Sequence, residues 1–283
     1  MPKSITISQA TRYQNAALNY YLGLTDSPFL HYGYWEPLPK SIEELTITRL
    51  RTAQQAYADK LLSFIPVDTK NILDVGCGTG GNAGFLLSKG FSVEGLAPDP
   101  FQQERFLKYT KGQAAFHLSE FQNFKGTTKY DLILLSESSQ YIQASDIANC
   151  SSALLNSGGY LLIADMMRSD SSYQDGIFSN CHVVKDLHNT LLEAGFTLVR
   201  DEDISTQAAP TIDLAVENFR RFGLSTFTYI ADLIAIAVPP LHKILGWAYK
   251  KWLQKLVVEG LDTPNIFKQS LCYQIQLWQL AKH

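Results

Sequence analysis

The sequence carries no surplus of positive charge. Its 283 residues hold 24 Lys and Arg against 27 Asp and Glu, a formal net charge of −3. That leaves no cationic footprint for a nucleic-acid backbone, so DNA and RNA are not expected partners. Cysteine is scarce and scattered: Cys77, Cys150, Cys181 and Cys272 form no C-x-x-C pair. They read as reduced thiols in a cytoplasmic protein. His182, His188 and His242 show no ligand spacing with one another or with nearby acids, so no catalytic metal is expected. The opening residues, Met-Pro-Lys-Ser-Ile-Thr, lack the apolar stretch of a signal peptide. The richest apolar run, 229–241, is interrupted by Asp232 and broken by Pro239 and Pro240, so it is too short to span a bilayer. What is abundant is core material. With 46% apolar residues the chain can fill one large domain, or a domain with a substantial insertion.

The most informative stretch is 71–81, Asn-Ile-Leu-Asp-Val-Gly-Cys-Gly-Thr-Gly-Gly. Ile72, Leu73 and Val75 read as a buried strand, and Gly76, Gly78 and Gly80 as a tight turn feeding an apolar-periodic helix from about Asn82. Glycine is needed where the backbone turns sharply and a flat polar cofactor must lie against its amides. Asp74, at the strand's end, faces that turn. Spacing of this kind also occurs in dinucleotide enzymes, so it leaves both classes open.

Strands and helices alternate through the middle of the chain. Strands are expected at 92–96, 114–118, 130–136, 160–164 and 196–204, and helices at 98–111, 144–155 and 182–194. The run 130–136 is apolar almost throughout, as a parallel strand covered on both faces should be. Residues 156–159, Asn-Ser-Gly-Gly, read as the C-cap of the helix before them. A last strand, 271–278, alternates apolar and polar residues and is expected to be antiparallel and less buried than its neighbours. This alternation builds an α/β, doubly wound, mostly parallel sheet. The expected organisation is an N-terminal helical cap (1–70, with an amphipathic stretch near 41–64), a cofactor-binding core (71–204), a helical insertion (205–268) and the final core strand (269–283). The insertion reads either as helices packed on the core or as a lid whose apolar face lines a substrate cavity.

The leading Asp-Val and the Cys-Gly-Thr-Gly continuation make the 74–81 segment similar to motif I of the class I S-adenosylmethionine-dependent methyltransferases. That resemblance implies a seven-stranded Rossmann-like sheet with the last strand antiparallel, S-adenosylmethionine as cofactor and S-adenosylhomocysteine as product. It places Asp74, Gly76, Cys77, Gly78 and Gly80 against the cofactor, with Cys77 a small packing residue. The ribose carboxylate of the family falls on Ala97 here, which leaves Asp99 either to take over the diol or simply to cap the next helix. Ser119, Glu120 and Phe121 fall where the family contacts adenine. Ser136 and Glu137 follow the fourth strand and point toward the transferring methyl.

Two further segments resemble the small-molecule branch containing sterol and tocopherol C-methyltransferases. In 29–35, Phe-Leu-His-Tyr-Gly-Tyr-Trp, the residues His31, Tyr32, Tyr34 and Trp35 close over the cofactor, or else anchor the cap to the core. In 137–142, Glu-Ser-Ser-Gln-Tyr-Ile, Tyr141 stands where that branch has His. His31 is the proton acceptor favoured by its titration range, with Glu137 and Tyr141 able to do the same work. The apolar insertion and an aromatic content of 12% point to a greasy natural-product acceptor such as a terpenoid, prenyl or acyl molecule. A polar O- or N-acceptor is the alternative. An NAD(P)-dependent oxidoreductase, a non-catalytic nucleoside-binding module and a protein touching a membrane through its insertion are the competing classes. The oligomeric state is not legible.

Overall fold

The computed structural model describes residues 21–282. The signal-peptide reading and the first part of the expected cap lie outside them. The sheet is built from β1 (Asn71–Val75), β2 (Ser92–Ala97), β3 (Ala115–Leu118), β4 (Tyr130–Ser136), β5 (Leu155–Arg168), β6 (Phe196–Asp203) and β7 (Leu271–Leu280). Its order is β3-β2-β1-β4-β5-β7-β6. The first five strands run parallel, and β7 is antiparallel to both β5 and β6. Helices α1 (Ile47–Leu62), α2 (Gly81–Ser88), α3 (Pro100–Tyr109), α4 (Ala144–Leu154) and α5 (Val184–Glu193) flank the sheet. Each is held by apolar side chains at helical spacing. In α1 these are Leu50, Ala53, Tyr57, Ala58 and Leu61, and Thr46 caps the first turn by accepting from the Arg49 amide at 3.2 Å.

Two expectations at the far side of the sheet are corrected. Residues 156–159 are not a helix cap. Pairing jumps from Tyr130–Leu155 to Leu132–Tyr160, and Gly158 takes φ 76°, so the segment is an irregularity inside β5, which starts at Leu155. A β-bulge and a C-cap use the same residue type because both need a left-handed backbone. The second concerns β7, which is not shallow: it lies between β5 and β6, and Tyr273, Ile275, Gln276 and Trp278 are fully buried. Its polar alternation is satisfied internally, since the Gln276 amide donates to Gln274 and accepts from the Trp278 indole at 3.2 Å. The exposed edge is β6 instead, where Arg200, Asp201, Glu202 and Asp203 discourage further pairing.

After β6 the chain runs through α6 (Ser205–Asn218) and one π-helical turn into α7 (Ser225–Ala237). Pro239 and Pro240 start α8 (Pro239–Ala248), which continues through a second π turn into α9 (Gln254–Ser270). The base of this insertion packs on the core through Ile212, Leu214 and Phe267. Beyond the base it does not pack: no side chain from Phe219 to Asp262 is buried.

Candidate functional site

A cavity of about 830 Å³ opens at the carboxyl ends of β1, β2 and β4, where ligands bind in open parallel sheets. Its floor is the turn between β1 and α2. Gly76, Gly78 and Gly80 take φ 73°, 53° and 93°, a region that side-chain-bearing residues avoid. At Gly76 a Cβ would also stand 2.3 Å from the Cβ of Ser138. Ser138 in turn donates to the Val75 carbonyl at 2.6 Å, tying the loop after β4 to the loop after β1.

Two carboxylates border this floor with an oxygen left unpartnered. Asp74 is buried, its Oδ2 has no hydrogen-bond partner, and burial pushes its pKa up to about 7. Asp99 caps the next helix and keeps a second oxygen unengaged. One oxygen caps α3 by accepting from the Phe101 amide at 3.0 Å, while Oδ2 is buried, unpartnered and beside the cavity. Ala97, in the position of the family's ribose acid, is buried on the same wall. Cys77 lines the cavity and packs into the core beside Gly95 and Ala97; burial raises its thiol pKa. Glu120 and Phe121 line the cavity as well. Ser119 does not: its hydroxyl donates to the Glu120 carbonyl at 2.9 Å, outside the lining.

The opposite wall carries Glu137, at φ 59°. A non-glycine residue held in that region stores strain, and its surroundings must impose it. Here the Glu137 amide donates to Ala164 O at 2.9 Å, and its carboxylate accepts from the Tyr32 amide at 3.3 Å and from the Tyr273 hydroxyl. Tyr273 also contacts the hydroxyl of Tyr57 at 2.8 Å, and Tyr57 lies 3.3 Å from Ser136 Oγ. Burial, and next the charge of Asp165, hold the Glu137 pKa well above the ordinary carboxylate range. Asp165 itself is fully buried and accepts from the Ser139 amide (2.9 Å), the Ser139 hydroxyl (2.7 Å) and the Gln140 amide (3.3 Å). It fixes the loop that presents Glu137.

His31 also borders the cavity, stacked on Tyr57 with ring centroids 4.1 Å apart. Its Nδ1 contacts the Tyr32 carbonyl at 2.8 Å. A carbonyl only accepts, so Nδ1 carries the proton and Nε2 is the free acceptor. Burial lowers its pKa to about 4. That removes the titration argument which favoured His31 as the base. Tyr141 sits at the rim, largely exposed.

Tyr32 and Trp35 do not line the cavity. Tyr32 packs against Tyr273 at 5.5 Å and reaches Glu137 only through its backbone. Trp35 is buried among Leu50, Ala53 and Leu214, and its indole donates to Thr211 at 2.9 Å. Of the two readings for this aromatic cluster, anchoring holds for Trp35. The lid reading of the insertion also fails here, because nothing from 205–268 lines the cavity. The cover comes instead from Tyr21, Pro28, Phe29 and Leu30, held by Gln54, whose amide donates to the carbonyls of Phe29 (3.2 Å) and His31 (2.8 Å) and to the Tyr21 hydroxyl (2.9 Å).

Tyr57, Tyr273, Asp165 and Gln54 were not found by sequence reasoning. Only Asp165 had a signal to offer, an acid at the end of the apolar run 161–164, which must find partners if buried.

A sequence model of the methyltransferase domain matches residues 49–218, more than half of the chain and all of the cofactor floor. The chain belongs to the methyltransferase-domain family. It is an enzyme of the class I, S-adenosylmethionine-dependent kind, and the oxidoreductase alternative is set aside. Among solved structures it is similar to the 4+2-cyclase SpnF (16% identity, 100% of this chain and 99% of that one, TM-score 0.73). It also resembles the cyclopropane synthase MmaA2 from Mycobacterium tuberculosis (16%, 94% and 95%, 0.68). A third is geranyl diphosphate C-methyltransferase from Streptomyces coelicolor A3(2), solved with Mg2+, geranyl diphosphate and S-adenosylhomocysteine (15%, 96% and 99%, 0.65). At such identities the likeness shows a shared fold. A search of curated protein sequences finds no match.

The methyltransferase floor fits its cofactor. The turn around Gly76 leaves no room for a Cβ, and the unpartnered oxygens of Asp74 and Asp99 suit an ammonium group and a pair of hydroxyls, respectively. Among the described residues no group of His, Cys, Asp and Glu is arranged to hold a metal ion.

Proposed function

We propose that this methyltransferase acts on a small, apolar acceptor carrying no phosphate or carboxylate, with Glu137 as the group that takes the acceptor's proton. The observation behind it is the makeup of the cavity wall. Among the described residues no Lys or Arg lines the cavity, so an anionic acceptor such as a prenyl diphosphate would find no cationic Lys or Arg side chain to pair with and would share the cavity with the carboxyl groups of Asp74, Asp99, Glu120 and Glu137. Tyr141 and Ile142, on the same loop as Glu137, offer apolar surface instead, and Phe29 and Leu30 add more over the glycine turn. The insertion's apolar composition does not bear on the acceptor, since no residue of 205–268 lines the cavity.

When bound, S-adenosylmethionine supplies an electrophilic methyl on a cationic sulfur. Methyl transfer is in-line displacement, so the protein's task is to position the reactants and exclude water. Gly76, Gly78 and Gly80 give the backbone access, Asp74 holds the ammonium end and Asp99 holds the ribose hydroxyls. Glu120 and Phe121 flank the adenine. Glu137, braced by Tyr273 and the Tyr32 amide, faces the acceptor and receives its proton. Tyr57 and Tyr273 stay protonated, because burial and the nearby Glu137 raise their pKa values. An amine acceptor is the second reading, favoured by the carboxyl group of Glu137 in a cavity lined by no Lys or Arg among the described residues. With its four cysteines free, the chain suits a reducing compartment such as the cytoplasm.

The test is methyl transfer from labelled donor to a panel of neutral terpenoid and acyl compounds, simple amines and prenyl diphosphates. Preference for the neutral apolar compounds is expected. Turnover confined to diphosphates would overturn the acceptor assignment, and turnover confined to amines would replace it with the second reading.

A further inference from the structure

The insertion that fails to cover the cavity has a composition that solvent alone does not explain. From Phe219 to Asp262 every side chain is at least partly exposed. Ile236, beside the proline turn, is 80% exposed, and Phe222, Tyr229, Trp247 and Trp252 are all more than half exposed. Contiguous apolar surface of this kind marks a contact with something else. No helix among the described residues is long and apolar enough to cross a membrane, so the surface is suited to lying on another apolar phase rather than spanning it.

Charge identifies that phase. Residues 219–258 contain Arg220, Arg221, Lys243, Lys250, Lys251 and Lys255 but one carboxylate, Asp232, in a chain whose net charge is −3. Glu217 engages Arg220 and Arg221, and Glu259 lies 3.7 Å from Lys255. Lys243 and Lys250 have no ion-pair partner among the described residues. Lys251 lies over the rings of Trp247 and Trp252 at 4.7 and 5.5 Å. Exposed tryptophans beside lysines, on helices rich in leucine and isoleucine, are the chemistry of a surface that settles at the headgroup level of a bilayer. A second copy of the chain is the poorer occupant. A two-fold contact through this patch would gather the cationic residues of both copies into one interface, with Asp232 the one carboxylate each copy's 219–258 segment brings.

We propose that the helical hairpin 219–258 docks the enzyme on an anionic lipid surface. Its apolar side chains enter the boundary between headgroups and acyl chains, and its lysines meet lipid phosphates. The inference rests on the hairpin alone and holds whatever acceptor the cavity takes.

The experiment uses the full chain and sedimentation with vesicles of phosphatidylcholine, alone or mixed with phosphatidylglycerol. Binding to the mixed vesicles only, reversed by high salt and accompanied by a blue shift of tryptophan emission, is expected. Lys250→Glu with Lys251→Glu should weaken binding by at least about tenfold, and Ile236→Ser with Trp252→Ser should do the same. Circular dichroism and S-adenosylhomocysteine binding should be unchanged in both variants, which shows that they fold. Failure of the wild-type chain to sediment with the mixed vesicles, or equal sedimentation with both kinds, would overturn the proposal. So would a lipid-free dimer that Trp252→Ser dissolves and that leaves the vesicles unbound.

Discussion

The hydroxyl of Tyr273, on the last strand, donates to the carboxylate of Glu137, on the loop after the fourth. The two residues are 136 positions apart and meet because β7 inserts beside β5. Their contact explains how an acidic side chain can sit at φ 59° without escaping to solvent.

If Glu137 accepts the acceptor's proton, Glu137→Gln keeps the shape and removes the base. The expected loss is about 10²–10⁴-fold in kcat, with donor affinity measured by calorimetry unchanged. Tyr273→Phe should cost less and move the rising limb of the kcat–pH profile upward. The hydrogen bond from the Tyr273 hydroxyl favours the carboxylate form of Glu137, and its loss leaves burial and the charge of Asp165 unopposed by that bond. Unchanged kcat in Glu137→Gln would remove this residue from the mechanism.

Asp99 has two roles that substitution can separate. Asn caps a helix about as well as Asp, so Asp99→Asn should leave Tm near that of the parent while weakening S-adenosylhomocysteine binding by about 1.5–3 kcal/mol. Asp99→Ala should lose a further ~1 kcal/mol of stability with the cap. Equal donor affinity in all three proteins would reduce Asp99 to a cap.

His31 is buried as the neutral form. Its folded pKa is lowered to about 4 from 6.5, so between those values the unfolded chain binds the extra proton and the native protein does not. Stability from this group therefore rises as pH climbs from 4 to 6.5 and is complete above that, on the order of 3 kcal/mol. His31→Phe should flatten that part of a Tm–pH curve, and NMR of the parent should show an imidazole titrating near 4. A midpoint near 6.5 would contradict the burial.

Asp74 works in the opposite sense. Its folded pKa is raised to about 7 from 3.8, so the ligand-free protein loses stability from this group as pH rises through that window. Donor binding places an ammonium beside it and should release a proton at pH 6, measurable as a buffer-dependent heat of binding. Asp74→Asn should abolish the release.

Trp35 was a candidate for contact with the cofactor and is found in the cap-to-core joint. Trp35→Ala should cost about 3–5 kcal/mol of stability at unchanged donor affinity in the protein that remains folded. A selective loss of donor binding would return Trp35 to the site.

The parallel half of the sheet was legible because its strands are wrapped on both faces, and 130–136 can be apolar at nearly every position. The floor was legible because only glycine tolerates φ 73° against Ser138. The last strand misled because Gln274 and Gln276 looked like a wet face. The Gln276 amide instead donates to Gln274 and accepts from the Trp278 indole, and pattern cannot foresee such bonds. Tyr57 and Tyr273 were invisible for a related reason. Each is one aromatic on an apolar face, and only the fold brings their hydroxyls to Glu137. The insertion was read as packing on the core or as a lid over the cavity because its sequence is apolar, yet apolarity states a preference and not a partner.

The position of β7 has a consequence for how the enzyme comes into being. Every strand that it joins is synthesised before it, and the hairpin stands between. The sheet therefore closes only when β7 pairs with β5 and β6, both of which precede it in the chain. Long-range closures of this sort are slow. Since the same strand delivers the Tyr273 hydroxyl, a sheet in which β7 has not yet paired leaves the Glu137 carboxylate without that brace.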